Sequence, residues 1–433
     1  MKKFFQKEIV EWGIYGLVFL LPWQTRLIFK NGIINGGISE YLTLSLYGID
    51  LLIVALFLFT FFSQKKKILN FTCLFKEPSF KLLGLFFLLC AISIFWVQNK
   101  LLAFEHMCWV LLAVLLAFLI SRTEDKIRLV YAFLMGLMLS AWLGIWQFLT
   151  QFAFSNKWLG LAWHDPKLSG VSVVEFRNVS GETIRWLRAY GSFDHPNMFG
   201  FMMALGIFFT SWLILDRQIK TKVEKNLQYF LLLIFSVGLF VSLSRAAWAG
   251  LLLFGAVMMF ALRDNFFQKA KIFIAIALIF SAMIFLYPMQ FVTRSGGEGR
   301  LEKKSLDERS IYLQQGKNML ARNWLTGVGI GNYVEWLKIE NPKNFSWTYQ
   351  PVHNVLLLLW AELGIFGALL FVTLVGLLAY KAWQQSVFAL GLIVVFLPAL
   401  MLDHWLWSLH FGVILLGFVV GFVYNGFDKK LKA

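Results

Sequence analysis

The sequence predicts an all-α fold, a polytopic integral membrane helix bundle of about 12 transmembrane helices with two long loops on its outer face. Hydrophobic residues make up 59% of the 433 positions and charged residues only 15%, whereas soluble proteins carry about 25% charged residues. The apolar residues also form runs, and each run is long enough to cross about 30 Å of hydrocarbon as a helix. We therefore expect residues 1–433 to form a single membrane domain.

Twelve apolar segments are the predicted spans, and an even number places both termini on the same side of the membrane. They are residues 12–30, 41–62, 80–97, 101–120, 128–152, 191–215, 227–243, 246–262, 270–288, 353–380, 386–403 and 408–425. We expect the first span to be retained, because no small-residue cleavage site follows Met1-Lys2-Lys3.

The basic residues divide unevenly between the two sets of connections. One set, which includes both termini, holds most of the lysines and arginines of the short connections, among them Lys65-Lys66-Lys67. The short connections of the opposite set hold only Arg26, Lys30, Lys100 and Arg245. By the positive-inside rule, the first set and both termini are cytoplasmic. The same distribution explains the net charge of +16, so we expect the lipid bilayer as a partner and no nucleic acid.

Two long polar segments both fall on the outer side, residues 153–190 and residues 289–352. In the second, Ser305 with Glu308 fits a capping box and predicts a short amphipathic helix that runs to about Arg322. The predicted helix presents one mostly apolar face, formed by Arg309, Tyr312, Leu313, Gly316 and Leu320.

Because both long polar segments lie on the outer side, the sequence favours chemistry at the outer membrane surface. A polar-lipid transporter or flippase, the less favoured alternative, has short loops on both faces and ionisable residues near the midplane. A structural scaffold leaves the arginines of the outer face unexplained.

The sequence gives no sign of a metal site. Cys73, Cys90 and Cys108 lack CxxC spacing, which predicts neither a disulfide nor a zinc site. No DxD-type motif appears on the outer face, so we expect metal-independent chemistry and no cofactor.

Polar side chains at the outer ends of the spans are the candidate site residues. His353-Asn354 begins the tenth span, where Asn354 can also simply cap the helix. The group Asp403-His404-Trp405 lies at the outer end of the eleventh span. A carboxylate at the rim of a membrane bundle is costly, and Asp403 is therefore a functional candidate. Glu362 lies deeper in the tenth span and points away from His353, so we expect it to be structural.

Arginines make up most of the remaining candidates. One cluster precedes the sixth span, and single arginines stand at a tight outer turn and in the large outer loop. Arginine forks match phosphate oxygens, a histidine can take a proton from a sugar hydroxyl, and interfacial snorkelling explains one arginine better than a cluster. These candidates are Arg185, Arg188, His195, Asn197, Arg245 and Arg309.

An ordered set of short motifs resembles the O-antigen ligase and polymerase superfamily. His353-Asn354, nine residues, Gly364-x-x-Gly367 resembles its H-[NSQ]-x9-G-x-x-G signature. Three further elements in the expected order are Arg309-x-x-x-Leu313, Leu243-Ser244-Arg245-Ala246, and Arg188-x-x-Gly191-Ser192-Phe193 with His195-Pro196-Asn197.

The resemblance implies a GT-C-like glycosyltransferase of the bacterial cytoplasmic membrane, with an O-antigen ligase-like core at residues 191–425 and its active site on the outer face. Such an enzyme moves a glycan from undecaprenyl diphosphate to a glycan or lipid-linked acceptor. We favour a ligase, with a repeat-unit polymerase or a protein O-oligosaccharyltransferase as alternatives.

The resemblance also implies roles for individual residues. It makes His353 the base, Asp403 a supporting acid, and Arg188 and Arg309 the diphosphate-binding arginines. Whether Arg245 or Arg309 is the second of these arginines stays open. The expected supporting residues are Asn354, Arg185, His195 and Asn197.

Overall fold

The computed structural model describes residues 2–63, 78–178, 180–215, 221–261, 266–296 and 299–425. Cys73 and the basic residues of 64–77, 216–220 and 426–433 lie outside the described residues, so the predictions made for them have no structural outcome. Most of the described part is helical, and short strands lie in the loops.

The helices are α1 (Lys2–Leu20), α2 (Gly48–Ser63), α3 (Pro78–Ser93), α4 (Lys100–Ser121), α5 (Lys126–Thr150), α6 (Pro196–Leu215), α7 (Lys222–Ser242), α8 (Arg245–Ala261), α9 (Phe266–Leu286), α10 (Pro288–Gly296), α11 (Arg300–Asn323), α12 (Tyr333–Glu340), α13 (Val355–Gln385), α14 (Val387–Leu402), α15 (Trp405–Ser408) and α16 (His410–Asn425). The strands are β1 (Arg26–Lys30), β2 (Ile33–Ile34), β3 (Gly37–Ile38), β4 (Leu44–Tyr47), β5 (Val173–Arg177) and β6 (Thr183–Leu187). They pair antiparallel as β1 with β4, β2 with β3, and β5 with β6.

The helices confirm the all-α polytopic membrane class. Six of the described helices are long and apolar enough to cross a membrane, namely α4, α5, α6, α7, α9 and α13. Shorter apolar helices accompany them at Gly48–Ser63, Lys81–Ser93, Arg245–Met259, Val387–Leu402 and His410–Tyr424. The count of twelve spans stays a prediction.

Helix α6 is the centre of the bundle. Every residue in its apolar window is buried, and it packs against α5, α7, α8 and α14. This burial matters for the site, because the polar residues just before Pro196 are thereby fixed at one end of the best-packed helix.

The first predicted span is wrong in its position. Helix α1 ends at Leu20, and residues 26–30, which were expected to be helical, form strand β1. Pro22 stops the helix because proline has no N–H to continue it. The turn at Asn35-Gly36, with both φ angles positive, then makes a hairpin.

The helix of the large outer loop begins earlier than expected. Helix α11 starts at Arg300 with Gly299 at the cap, so the predicted capping box at Ser305 is wrong. Glu302 lies in the first turn, where a carboxylate is stabilised by the helix dipole. The predicted packing face is confirmed for Tyr312, Gly316 and Leu320, whereas Leu313 is exposed.

Helix α13 is broken at Gly364, which has φ 69° and ψ −176°. The chain at 324–331 packs into the break, where Val328 N donates to Ala361 O at 2.9 Å and Ile365 N donates to Trp324 O at 2.9 Å. Glycine is required here for two reasons. A Cβ at residue 364 would clash with Leu325 O, and the backbone conformation is essentially restricted to glycine.

Glu362 secures the same junction from inside the bundle. Its carboxylate accepts Gly331 N at 3.0 Å and Trp407 Nε1 at 2.8 Å. The structural role expected for Glu362 is therefore confirmed by its contacts.

Candidate active site

The predicted outer connections meet at one end of the bundle, and a histidine–carboxylate group lies where they converge. His353 directly precedes α13, and Asp403 with His404 joins α14 to α15. One ligand-type atom from each of these three residues lies within 4.8 Å of the others. The His353 and His404 rings contact edge to face, with centroids 4.8 Å apart. Two residues predicted from distant segments are thus brought together.

Asn354 positions His353 by capping α13. Its side-chain oxygen accepts Leu357 N at 2.9 Å, as an N-cap residue does. Its amide also donates to Met401 O at 3.2 Å, which ties the start of α13 to the end of α14. The cap therefore holds the His353 and Asp403 segments side by side.

A chain of hydrogen bonds joins Arg188 to Asp403. Arg188 Nη2 donates to Asn197 Oδ1 at 2.9 Å, and Asn197 Nδ2 donates to Asp403 Oδ2 at 2.9 Å. Arg188 Nε also donates to Ser242 O at 2.9 Å, and its side chain is buried. Arg188 is consequently committed to protein acceptors, and its charge reaches Asp403 through the amide of Asn197.

His195 lies beneath this chain. Its Nδ1 accepts Asn197 N at 3.1 Å, and its Nε2 is 3.1 Å from Ser172 Oγ in the first outer loop. Burial and the neighbouring Arg188 lower the pKa of His195 to about 3, so the ring is neutral. His195 thus connects the start of α6 to the first loop.

Arg309 faces the histidines from α11 and has no ion pair or side-chain hydrogen bond within the described residues. It is half-buried, and its charge is close enough to lower the pKa of both His353 and His404. One turn further along α11, Tyr312 stacks on His353 with ring centroids 5.7 Å apart. Helix α11 therefore places the guanidinium of Arg309, which is unpaired within the described chain, and the aromatic ring of Tyr312 beside the histidines.

Among the described residues Arg245, unlike Arg309, makes an ion pair. Its Nη2 pairs with Glu302 Oε2 at 2.9 Å, and Glu302 also pairs with Arg294. Arg294 Nε donates to Leu243 O at 2.9 Å, a carbonyl that Arg188 Nη2 also approaches at 3.3 Å. Leu243 has a left-handed φ of 49°, which confirms the tight turn predicted there.

Arg185 is not part of this group. It lies in the small β5–β6 sheet, where its side chain bonds to Pro166 O, Leu168 O and the Glu175 carboxylate. The structure gives it a role in folding the first loop.

The pKa values of the central group follow from burial and mutual charge. Burial raises the pKa of Asp403, but the three neighbouring histidines and the Asn197 amide lower it further, so the pKa lies below the ordinary value. Burial and the neighbouring His353 lower the pKa of His404 to about 3. Burial also lowers the pKa of His353, and the Asp403 carboxylate only partly opposes this. Near neutral pH the group therefore consists of two neutral imidazoles and one carboxylate.

Three residues of this neighbourhood were not predicted from the sequence. They are Tyr41, Arg294 and Glu302. His404 was part of the candidate group Asp403-His404-Trp405, but no role was predicted for it. Tyr41 lies in a segment that was expected to be a span, although its hydroxyl donates to Gln350 Oε1 at 2.7 Å beside His404.

The fold and the site define a polytopic membrane protein with a histidine–carboxylate group and several arginines at one end of its helices. Residues 230–372, about a third of the chain, match the protein family described as O-Antigen ligase. This match confirms the resemblance to the O-antigen ligase superfamily, and it spans Arg245, Arg309 and His353 but not Arg188 or Asp403. No curated protein matches the chain. The family supports an O-antigen ligase-like membrane enzyme of polysaccharide biosynthesis.

Proposed function

We propose that the protein transfers a glycan from a polyprenyl diphosphate, such as undecaprenyl diphosphate, to an acceptor sugar hydroxyl at the outer face of the cytoplasmic membrane. The observation that carries this proposal is the placement of the uncommitted Arg309 beside the neutral His353. A cation without a protein partner suits an anionic leaving group, and a neutral imidazole suits a hydroxyl proton.

The proposed reaction is one displacement at the anomeric carbon. The acceptor oxygen forms a bond to that carbon while the bond between the carbon and the phosphate oxygen breaks. His353 takes the hydroxyl proton, and the electron pair leaves with the diphosphate. Asp403 stabilises the imidazolium that forms, as a carboxylate beside a histidine does. This step balances without a metal ion.

The three arginines have different roles in this proposal. Arg309 contacts the phosphates directly, because its fork is free and matches their oxygens. Arg188 is buried, and its charge acts on Asp403 through the Asn197 side chain, which it holds in hydrogen-bonding contact with Asp403. Arg245 is placed second for phosphate contact because its guanidinium already makes an ion pair with Glu302.

The outer-face location rests on the charge distribution. The connections that gather at the site are those whose short members carry few basic residues, and the positive-inside rule assigns such connections to the outside. Both termini then lie in the cytoplasm. A cysteine introduced at Ser346, in the same outer loop that leads to His353, should react with a membrane-impermeant thiol reagent in intact cells. Protection of this cysteine until the cells are lysed would contradict the orientation.

The decisive experiment supplies the purified protein with a polyprenyl-diphosphate glycan and three competing acceptors. These are a lipid A-core oligosaccharide, a second lipid-linked glycan and an acceptor protein. Product on the first identifies a ligase, on the second a polymerase, and on the third a protein O-oligosaccharyltransferase. Absence of transfer to every acceptor, with donor bound, would overturn the proposed function.

A further inference from the structure

The three residues at the centre of the site are rich in electron pairs and poor in donors. His353, Asp403 and His404 each direct an acceptor-type atom into a space less than 5 Å across, with separations within 4.8 Å. Each of these atoms can be assigned a state from its other hydrogen bonds.

The Ser408 side chain bears on the tautomer of His404. The Ser408 Oγ lies 2.7 Å from His404 Nδ1 and 3.1 Å from His404 O. These contacts are compatible with the tautomer in which Nδ1 donates to Ser408 Oγ while the Ser408 hydroxyl donates to His404 O. In that tautomer the lone pair of the neutral ring is on Nε2.

No strong donor fills that lone pair. The nearest hydroxyl is that of Tyr41, 3.5 Å from Nε2, but Tyr41 donates to Gln350 Oε1 at 2.7 Å. A contact at 3.5 Å is at the limit of a hydrogen bond. His404 Nε2 is thus an open acceptor that faces Tyr41 at the edge of the group.

The other two members are also incompletely satisfied. His353 Nδ1 is buried and makes no hydrogen bond of ordinary geometry, although the Pro351 backbone lies close enough to the ring to raise its pKa. Asp403 receives one N–H on each oxygen, from His404 N at 2.9 Å and from Asn197 Nδ2 at 2.9 Å. A carboxylate offers about four acceptor sites, so each oxygen keeps one free lone pair. Each neutral imidazole offers one lone pair and Asp403 offers at least one, so the three side chains together can supply three ligands to a cation.

We propose that His353, His404 and Asp403 bind one zinc-class divalent ion through two imidazole nitrogens and one carboxylate oxygen. Two histidines and a carboxylate are a common first shell for such ions, with nitrogen and oxygen ligands at about 2.0–2.2 Å. Tetrahedral ligands are then about 3.4 Å apart, so each side chain moves inward by less than about 1 Å from the observed separation. The fourth position stays open to water.

The ion inhibits the enzyme, and this consequence rests on the proposed function. A metal bound to His353 occupies the lone pair that receives the hydroxyl proton. The ion is therefore a reversible inhibitor of a reaction that does not need it. Arg309 stands beside the site and has no carboxylate partner among the described residues, so its charge favours ready release of the ion.

The binding test uses purified full-length protein in nanodiscs, titrated with zinc chloride in a calorimeter without donor or acceptor. We expect one ion per protein, and at least a tenfold loss of affinity in His404→Gln. The matched control is His164→Asn, because His164 stacks on Tyr190 in the first loop, away from the group, and should leave zinc affinity unchanged. The absorbance of bound cobalt reports the same site independently, and thermal unfolding checks that His404→Gln is folded.

Three outcomes decide the proposal. Stoichiometric binding that His404→Gln weakens and His164→Asn does not would support the site. Failure to bind one ion, or equal affinity in folded His404→Gln, would overturn it. Binding at the group without inhibition of glycan transfer would uphold the metal site and count against His353 as the base, which separates the two proposals.

Discussion

Arg309 is predicted to bind the donor diphosphate, and Arg309→Ala should separate it from Arg245. Arg309 has no ion pair in the described part of the chain, whereas Arg245 is paired with Glu302 at 2.9 Å. A guanidinium fork that makes two charge-assisted hydrogen bonds, at about 1.5 kcal/mol each, contributes about 3 kcal/mol. Its loss corresponds to on the order of 100-fold weaker binding.

The assay is displacement of a fluorescent polyprenyl diphosphate from the protein in nanodiscs at fixed salt. We expect about 100-fold weaker binding for Arg309→Ala, and less than about tenfold for Arg245→Ala, because Glu302 already offsets that charge. Arg309→Lys should be intermediate, since lysine keeps the charge without the fork. Equal affinity of Arg309→Ala and the unmodified protein, or a larger loss in Arg245→Ala, would refute the assignment.

Three further predictions concern the scaffold and the proton. Glu302→Gln removes the partner of Arg245 and of the buried Arg294, so the free energy of unfolding should fall by about 3–5 kcal/mol. The control is Glu308→Gln, which breaks the exposed pair with Lys304 and should cost less than about 1 kcal/mol. Equal shifts of the unfolding temperature of the two variants in detergent would contradict this prediction. Gly364→Ala should lower the unfolding temperature, because a residue with a side chain pays about 1–3 kcal/mol to adopt φ 69° with ψ −176°. Gly376→Ala in the same helix places its methyl group in open space and should leave the unfolding temperature unchanged. Equal shifts of the unfolding temperature in the two variants would contradict the helix break at Gly364. The rate of glycan transfer should fall as the pH drops through the pKa of His353, which lies below 6.5 because burial and the Arg309 charge outweigh the effect of Asp403. The residual activity of Arg309→Gln should fall with a midpoint at higher pH. A midpoint that does not move would contradict the electrostatic effect of Arg309 on His353.

The sequence selected three residues that the structure brings together, but not their states. His353 and Arg309 were selected by motif order, and Asp403 was selected as a carboxylate at the rim of the bundle. Their pairing was not predictable, because Arg188 and Arg245 carry the same side chain as Arg309 and differ only in their neighbours. Glu302, which neutralises Arg245, lies in a stretch of alternating charges that has no distinguishing pattern.

Membrane segments were predictable to within a few residues where apolar runs were uninterrupted, as in α4 and α5. Prediction failed between α1 and α2, because the short apolar runs of strands β1 and β4 resemble extensions of the flanking helices. Tyr41, which contacts His404, was assigned to the bilayer because the second predicted span begins at residue 41. Short apolar runs do not distinguish strand from helix by composition alone.

The most direct test of the account is glycan transfer by His353→Ala, with His164→Asn as the control for loss of an outer histidine. Both proteins are reconstituted with a polyprenyl-diphosphate glycan and acceptor, and donor binding is measured in parallel. The account predicts that His353→Ala binds the donor with unchanged affinity and forms no product, while His164→Asn transfers normally. Transfer by His353→Ala at the rate of the unmodified protein would contradict it.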